Sequence, residues 1–233
     1  MIKLGNDNIG KIYLGSNSIG KAYLGSNLVF QKGASAPPPE FYDRLIFDGT
    51  AEIQTTYALP ANCSIRLALG GETTKLRQGI FTSWSDGAGI LLMLGNNTNS
   101  TTRQIVTYYD SSSYVSGQNL AFSYTSYNFF MTPSGMGWGT SFYSYTKGNT
   151  HPTGGLLIGH DGTRNYTGYI ETINIYDSSA SGCRTFDAFE SYTPVATFRP
   201  CEYNGEAGLW YVQANRFYGN TASGGSLSVS NTQ

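Results

Sequence analysis

Short hydrophobic segments alternate with glycine-centred polar pairs at the start of the chain, where a ten-residue unit occurs three times between residues 2 and 31. In each unit a leucine precedes a glycine, two small polar residues follow, and an aliphatic residue then returns. Glycine and asparagine tolerate the positive φ that a tight turn requires. The pattern therefore predicts a turn flanked by short strands in each unit, and a narrow β-meander over the whole repeat.

This arm, residues 1–32, is too small to bury much apolar surface, because two or three short strands are only marginally stable in water. We therefore expect another copy of the arm, a larger assembly, or both to complete it. The alternative is that the arm packs against the rest of its own chain. The side chains expected to make the contact are the recurring aliphatic and tyrosine residues Leu4, Ile9, Tyr13, Leu14, Ile19, Tyr23, Leu24 and Val29.

Residues 33–40 follow the repeat and contain the consecutive prolines Pro37, Pro38 and Pro39. Proline-rich segments favour an extended conformation with a rise of about 3.1 Å per residue. The segment is predicted to be a stiff spacer between the arm and a larger domain, residues 41–233.

The strongest strand signals of the larger domain are at residues 156–160 and 168–176. The polar loop between them contains Asp161-Gly162, a dipeptide that suits a tight turn. The simplest interpretation is a β-hairpin.

Three isoleucines in the second of these strands give information about its environment. Ile173 and Ile175 share one face because side chains alternate along a strand, whereas Ile170 falls on the other face unless a bulge intervenes. Both faces are therefore expected to be at least partly covered. This predicts a sandwich of two sheets rather than an open sheet.

The remaining pattern predicts many short strands separated by Gly, Asn, Ser and Asp. Gly135 to Gly139, with glycine at alternate positions, is predicted to be a loop, and one helical turn is predicted near residues 186–190. Strands are expected at residues 80–84, 90–94, 104–109, 120–124, 128–131, 140–145, 196–199, 209–212 and 216–218.

The order Leu-Leu-Ile-Gly, a polar turn, Tyr-x-Gly-x-Ile and a closing Ile-Tyr-Asp resembles the late strands of concanavalin A-like jelly rolls of the laminin-G type. Residues 45–53 and 64–69 resemble the first strands of such domains. Residues 198–201, 208–211 and 216–220 are similar to the C-terminal ending of such domains in phage proteins. The resemblance covers residues 41 to 230 and implies an all-β fold, a jelly-roll β-sandwich after the short β-repeat arm.

Composition agrees with many short strands, since the 233 residues are 39% hydrophobic and 12% charged and include 29 glycines and 18 tyrosines. The net charge is −1 and no lysine or arginine run occurs, so the basic footprint of a nucleic-acid-binding protein is missing. No apolar run has the character of a signal peptide or approaches the roughly 20 residues that span a bilayer. We expect synthesis in a host cytoplasm without an export signal, and neither nucleic acid nor membrane as a partner.

Catalytic and metal-binding patterns are weak. A glycosidase on this fold would need two carboxylates facing one cleft, commonly Glu-x-Asp-x-x-Glu on one strand, and that motif is absent. Laminin-G relatives often hold calcium on the rim of the sandwich, for which Asp86, Asp110 and Asp161 are candidates, although loop aspartates are more often turn residues. No enzyme and no cofactor are expected. The three cysteines, Cys63, Cys183 and Cys201, are expected to be buried thiols.

Sugar binding would use exposed aromatic rings beside polar loops, because a ring face stacks on the apolar side of a pyranose. The candidates for contact with a glycan are Trp84, Tyr109, Trp138 and Tyr143. The alternative for each of them is an ordinary half-buried position in a sheet.

The repeat arm, the proline spacer and the sandwich together resemble virion proteins of tailed bacteriophages, in particular fibre or decoration proteins of crAss-like phages. The resemblance implies an arm anchored to the particle and a displayed sandwich. We therefore expect a non-enzymatic head fibre or capsid-surface appendage on the virion, a dimer or trimer that contacts capsid or fibre proteins. The alternatives are a tail fibre module that binds a host surface glycan or receptor, and a polysaccharide-degrading enzyme.

Overall fold

The computed structural model describes residues 38–71, 78–83, 90–94, 105–109, 114–116, 127–144 and 155–232, and six strand segments between residues 3 and 31. The chain divides into two compact units, Met1–Pro38 and Pro39–Gln233. Within these described parts no helix is long and apolar enough to cross a membrane.

The first unit consists of three hairpins, each a two-stranded antiparallel sheet. In every hairpin the leucine before the repeated glycine pairs with the residue three positions later, as a tight turn at the predicted place requires. The turn residues themselves lie outside the described residues. Of the predicted contact residues, Ile9 lies outside the described residues and the others lie in these strands. The pairs are β1 (Lys3–Leu4) with β2 (Asp7–Asn8), β3 (Ile12–Leu14) with β4 (Asn17–Ile19), and β5 (Lys21–Leu24) with β6 (Asn27–Gln31).

The second unit is a sandwich of two antiparallel sheets, as the sequence predicts. Its strands are β7 (Glu40–Phe41), β8 (Arg44–Asp48), β9 (Ile53–Ala58), β10 (Ser64–Gly71), β11 (Gln78–Thr82), β12 (Ile90–Leu94), β13 (Ile105–Tyr109), β14 (Tyr114–Ser116), β15 (Tyr127–Thr132), β16 (Gly135–Trp138), β17 (Ser141–Ser144), β18 (Gly155–Ile158), β19 (Thr167–Tyr176), β20 (Ala196–Tyr203), β21 (Glu206–Tyr211), β22 (Arg216–Tyr218) and β23 (Leu227–Ser230). Three 3₁₀ segments complete it, Ser178–Gly182, Asp187–Ser191 and Val212–Ala214.

The large sheet has the strand order β17-β16-β15-β10-β19-β20-β21-β22, with β7 paired to β20 and β8 placed between β19 and β23. The small sheet has the order β14-β13-β12-β11-β18-β9. Aliphatic and aromatic side chains from both sheets form one core cluster. A second, smaller cluster forms on the opposite face of the large sheet, where Phe130 and Tyr176 are covered by Ala180, Cys183 and Phe189 of the segment that follows β19.

The predicted hairpin at residues 156–160 and 168–176 is wrong, because β18 belongs to the small sheet and β19 to the large one. The connection carries the chain from one sheet to the other and brings Tyr166 into the core, fully buried. The Tyr166 hydroxyl donates to the carbonyl oxygens of Gly70 and Tyr169 at 2.6 and 3.1 Å. A polar loop with one buried aromatic residue therefore acts as a crossover between sheets rather than as a hairpin turn.

The predicted first strand at residues 45–53 also divides between the sheets, with β8 in the large sheet and β9 in the small one. Asp48 forms the corner, since its Oδ1 accepts from the backbone N–H groups of Thr50 and Ala51 at 2.7 and 2.8 Å. Gly49 adopts a φ of 92° in this turn, a conformation that favours glycine.

A β-bulge in β19 explains why its three isoleucines lie on the same face of the sheet. Leu67 of β10 is paired with Ile173 and Leu69 with Ile170, so two residues of β19 oppose one of β10. Ile170, Ile173 and Ile175 consequently all lie in the core. Because of the bulge, the intervening pair Glu171 and Thr172 is available to the opposite face of the sheet.

The predicted loop at residues 135–139 is wrong, because residues 135–138 form β16. Its glycines serve close packing, since a Cβ at Gly137 would lie 2.5 Å from Cζ of Phe130. The predicted strand at residues 120–124 and residues 33–37 of the spacer lie outside the described residues, and Glu40 of the spacer is paired with Glu202. The three cysteines are buried thiols, as predicted.

Candidate functional site

A groove of about 350 Å³ lies on the face of the large sheet that is turned away from the small sheet, here called the outer face. Its strand residues alternate with core residues such as Ile65, Ile173 and Phe198, which places their side chains on the opposite side of the sheet. The groove is lined by Tyr42, Asp43, Arg66, Leu67, Ala68, Asn128, Glu171, Thr172, Asn174, Phe186, Arg199 and Thr232.

Arg66 of β10 lies in the middle of the sheet, in one row with Asn174 and Phe130. Its side chain is 17% exposed, and Nη2 donates to Oε1 of Glu190 at 3.3 Å. The guanidinium group lies 3.9 Å from the ring centroid of Phe186, a cation–π arrangement. Its Nε is buried and has no hydrogen-bond partner within the described parts of the chain. Arg66 is thus rigidly held, with one donor position unused.

The two carboxylates that line the groove are engaged within the chain. Oε1 of Glu171 accepts from Nε of Arg44 at 3.4 Å. Oδ2 of Asp43 accepts from both the hydroxyl and the backbone N–H of Thr232, at 2.6 and 2.8 Å. These hydrogen bonds lower the pKa of Asp43 below its usual value. Asp43 is therefore charged near neutral pH, and both carboxylates have a partner within the chain.

Hydrogen-bonding groups directed at solvent come from β15, β19 and β20. Oδ1 of Asn174 accepts from the hydroxyl of Thr197 at 3.1 Å, which leaves its amide N–H groups as donors. Asn128 is exposed, and its side-chain amide has no hydrogen bond among the described residues, whereas its backbone oxygen accepts from the N–H of Gly139 at 2.9 Å. Arg199 is exposed and its guanidinium group lies 4.0 Å from the ring centroid of Phe41, without a carboxylate partner in the described ranges.

An aromatic patch, defined here as Phe41, Tyr203, Trp210 and Phe217, continues the outer face beyond Arg199. The ring centroid of Tyr203 lies 5.3 Å from that of Trp210 and 5.5 Å from that of Phe217. Trp210 of β21 is directly paired with Arg199 of β20 and with Phe217 of β22. Groove and patch thus form one continuous surface that meets at Arg199.

Gly208 allows the ring of Phe217 to lie against the backbone of the neighbouring strand β21. A Cβ at this position would stand 2.7 Å from Cε2 and Cζ of Phe217. Phe41, at the other end of the patch, is 38% exposed although it is a large hydrophobic residue. The rings of Tyr203, Trp210 and Phe217 are half-buried, with part of each ring open to solvent.

No family model matches the sequence, and no curated protein matches it. Among solved structures, the fold is similar to one titled a "putative carbohydrate binding protein" from Bacteroides ovatus, with a TM-score of 0.57 and 10% identity over 83% of this chain. The chain spans 61% of the length of that structure. The fold also has a TM-score of 0.49 to a heptameric SAP-like pentraxin from Limulus polyphemus, with 14% identity over 81% of this chain and 95% of that one.

The sandwich is a concanavalin A-like jelly roll. The sequence predicts this fold, and the two antiparallel sheets that share one core agree with it. Identity of 10% shows the shared fold alone, so the chemistry of this jelly roll has to be argued from its own side chains.

Of the residues predicted for glycan contact, Trp138 and Tyr143 do not line the groove. Trp138 and Tyr143 are brought together, with ring centroids 4.8 Å apart and an interplanar angle of 25°, but both pack against the core of the jelly roll. Tyr109 lies in β13 of the small sheet, opposite Ile90. Trp84 lies outside the described residues. Their role in glycan contact stays a prediction.

The sequence analysis did not identify the residues of the groove and of the aromatic patch as a site. Arg199, Tyr203, Trp210 and Phe217 occupy outward positions on three consecutive strands, and this recurrence of aromatic residues was the available signal. It could not be recognised without knowing which side of each strand faces the core. The pairing of Phe41 with β20 is not visible in the sequence at all.

Of the three calcium candidates, Asp161 lies in the described part of the chain. Asp161 stabilises its own loop, since Oδ1 accepts from the N–H groups of Thr163 and Arg164 at 2.9 and 2.7 Å and Oδ2 pairs with Arg164 at 3.0 Å. Asp86 and Asp110 lie outside the described residues. Within the part of the chain that the structure describes, no group of three or more metal-ligating side chains occurs.

Proposed function

We propose that the jelly-roll unit binds carbohydrate on the outer face of its large sheet, without catalysis. The observation that carries the proposal is the continuity of a polar groove with an aromatic patch at Arg199. A pyranose presents an apolar face, which an exposed ring can cover, and hydroxyl groups, which amides and guanidinium groups can satisfy. Trp210 and Asn174 supply these two kinds of contact on one surface.

The comparison with solved structures supports the proposal only through the fold. The Bacteroides ovatus protein, titled as carbohydrate-binding, shares the architecture at 10% identity. The engagement of Glu171 by Arg44 supports a binding role rather than glycoside cleavage, because a catalytic carboxylate has to be available to the substrate.

A glycan array probed with the full chain tests the proposal. Binding should be retained by Trp138→Ala and weakened about tenfold by Trp210→Ala, because loss of roughly 60 Å² of apolar contact at about 25 cal/mol per Å² corresponds to ~1.5 kcal/mol. Circular dichroism of both variants would verify folding. Binding that Trp138→Ala abolishes and Trp210→Ala preserves would place the ligand at the other aromatic pair. Absence of binding to any glycan would refute the proposal.

The structure of the arm supports a second proposal, in which the arm anchors the protein in a virion appendage such as a head fibre or a tail fibre. The observation behind it is the succession of three separate two-stranded sheets, a type of structure that gains stability from a neighbour. The neighbour would be another copy of the arm or a capsid or fibre protein. Display on a particle and adhesion to a host glycan are compatible roles.

Deletion of residues 1–32 tests the anchor. The truncated chain should lose its association with particles and its self-association in sedimentation, while the circular dichroism of the sandwich persists. A truncated chain that is incorporated as well as the full chain would contradict this role.

A further inference from the structure

We infer that the glycan is acidic, and that its carboxylate is bound by Arg199 beside the ring of Trp210. The inference rests on the proposed carbohydrate-binding function and specifies its ligand class. It follows from the hydrogen-bond donors and acceptors of the groove, from the orientation of Arg199, and from the cross-strand pairing of Arg199 with Trp210.

Each carboxylate of the groove already accepts at least one hydrogen bond within the chain. Glu171 accepts from Arg44, and Asp43 accepts two hydrogen bonds from Thr232. Glu190, which borders the groove, accepts from Arg66. A neutral sugar needs acceptors for its hydroxyl protons as well as donors for its oxygens, and no carboxylate of the groove remains without a partner.

The donors, in contrast, remain available. Arg199 makes no ion pair and no hydrogen bond within the described ranges, so its guanidinium N–H groups can all serve a ligand. Nε of Arg66 is buried and unpartnered there, and the amide of Asn174 has only its oxygen engaged. A surface rich in N–H donors is complementary to a ligand that brings acceptors, and a carboxylate is the sugar substituent with the most acceptor sites.

Arg199 is positioned before a ligand arrives. Its Cζ lies 4.0 Å from the ring centroid of Phe41, a cation–π contact that holds the group without using its N–H donors. A planar fork held in this way can receive a carboxylate through two parallel hydrogen bonds. The structure therefore provides the geometry that bidentate recognition needs.

The neighbouring ring completes a subsite for one acidic residue of a glycan. Arg199 and Trp210 are directly opposite each other on adjacent strands, which places their Cβ atoms about 5 Å apart. A uronic acid carries its carboxylate directly on its pyranose ring, so a glycan that contains one can stack a sugar ring on Trp210 and bring the carboxylate to Arg199.

Isothermal titration of the full chain with oligosaccharides of galacturonate, alginate and hyaluronan, each beside its carboxyl-methylated form, tests the inference. At least one acid should bind about tenfold more tightly than its methyl ester, and its affinity should fall as salt increases. If no acid of the panel exceeds its ester, the inference is overturned. If the chain binds none of these sugars and none on the glycan array, the proposed function itself fails.

Three variants locate the carboxylate. Arg199→Gln should weaken the affinity for the acid about tenfold and leave the affinity for the methyl ester unchanged. Arg199→Lys should restore part of the affinity for the acid, because lysine keeps the positive charge but lacks the planar guanidinium fork. Arg216→Gln is the matched control, since Arg216 is also exposed and stacks on a tyrosine, 5.0 Å from the ring centroid of Tyr218, but does not line the groove. Equal losses for acid and ester in Arg199→Gln, or an equal effect of Arg216→Gln, would overturn the assignment.

Discussion

Replacement of Tyr166 by phenylalanine tests the crossover between the two sheets. The side chain is fully buried, and its hydroxyl donates to the carbonyl oxygens of Gly70 and Tyr169. Phenylalanine keeps the ring that packs against Phe47 at a centroid distance of 5.8 Å and removes only the hydroxyl. The free energy of unfolding should fall by about 1.5 kcal/mol. The variant loses the net contribution of these hydrogen bonds and leaves the two buried carbonyl oxygens without their donor.

For a unit of this size, each kcal/mol corresponds to a decrease in Tm of about 2–4 °C, so Tyr166→Phe should melt about 3–6 °C below the wild type. Differential scanning calorimetry and urea unfolding would measure the difference, with an unchanged m value. Tyr203→Phe is the control, because that half-buried ring lies in the aromatic patch and its hydroxyl has no hydrogen bond in the described structure. If both variants were as stable as the wild type, the burial of the Tyr166 hydroxyl between the sheets would be refuted.

Three further perturbations follow from the same structure. Asp48→Ala should lower the free energy of unfolding by about 1–2 kcal/mol at neutral pH, because Asp48 accepts from Thr50, Ala51 and Ser226. Burial alone would raise the pKa of Asp48, but these hydrogen bonds lower it below 3.8, so the difference from wild type should vanish in urea titrations as the pH falls through that lowered value. Cys201 should not react with a thiol reagent at pH 8 until the protein is unfolded, because burial raises its pKa to about 12, and rapid labelling of the native protein would contradict its placement. Gly208→Ala should weaken glycan binding, because the new Cβ would lie 2.4 Å from the backbone oxygen of Tyr218 and 2.7 Å from the ring of Phe217 and would displace both. Gly182→Ala, where a Cβ meets no neighbouring atom, should bind like the wild type in the same titration.

The sequence pattern located most strands of the jelly roll but not their partners. Residues 90–94 and 216–218 are strands with the predicted bounds, because hydrophobic runs between turn residues are a local signal. Whether a polar connection is a hairpin turn or a crossover depends on side chains that pack at a distance. Tyr166, a single buried aromatic in a polar loop, decides that question for β18 and β19.

The candidate site could not be predicted from the sequence for a related reason. Phe41 and Arg199 are far apart along the chain and meet only because β7 pairs with β20. Trp138 and Trp210 look equivalent in the sequence, yet one packs against the core and the other lies on the outer face. The face on which a strand residue lies follows from the register and from bulges such as the one in β19, which tertiary packing sets.

The chain contains three tryptophans, which makes the location of the ligand directly measurable. A ¹⁵N-labelled sample gives three indole N–H signals, assigned by single Trp→Phe variants, and the best-binding glycan is titrated to saturation. Our account predicts that the signal of Trp210 shifts with the ligand while the signal of Trp138 stays in place. A shift of the Trp138 or Trp84 signal with Trp210 unaffected would contradict a binding site on the outer face of the large sheet.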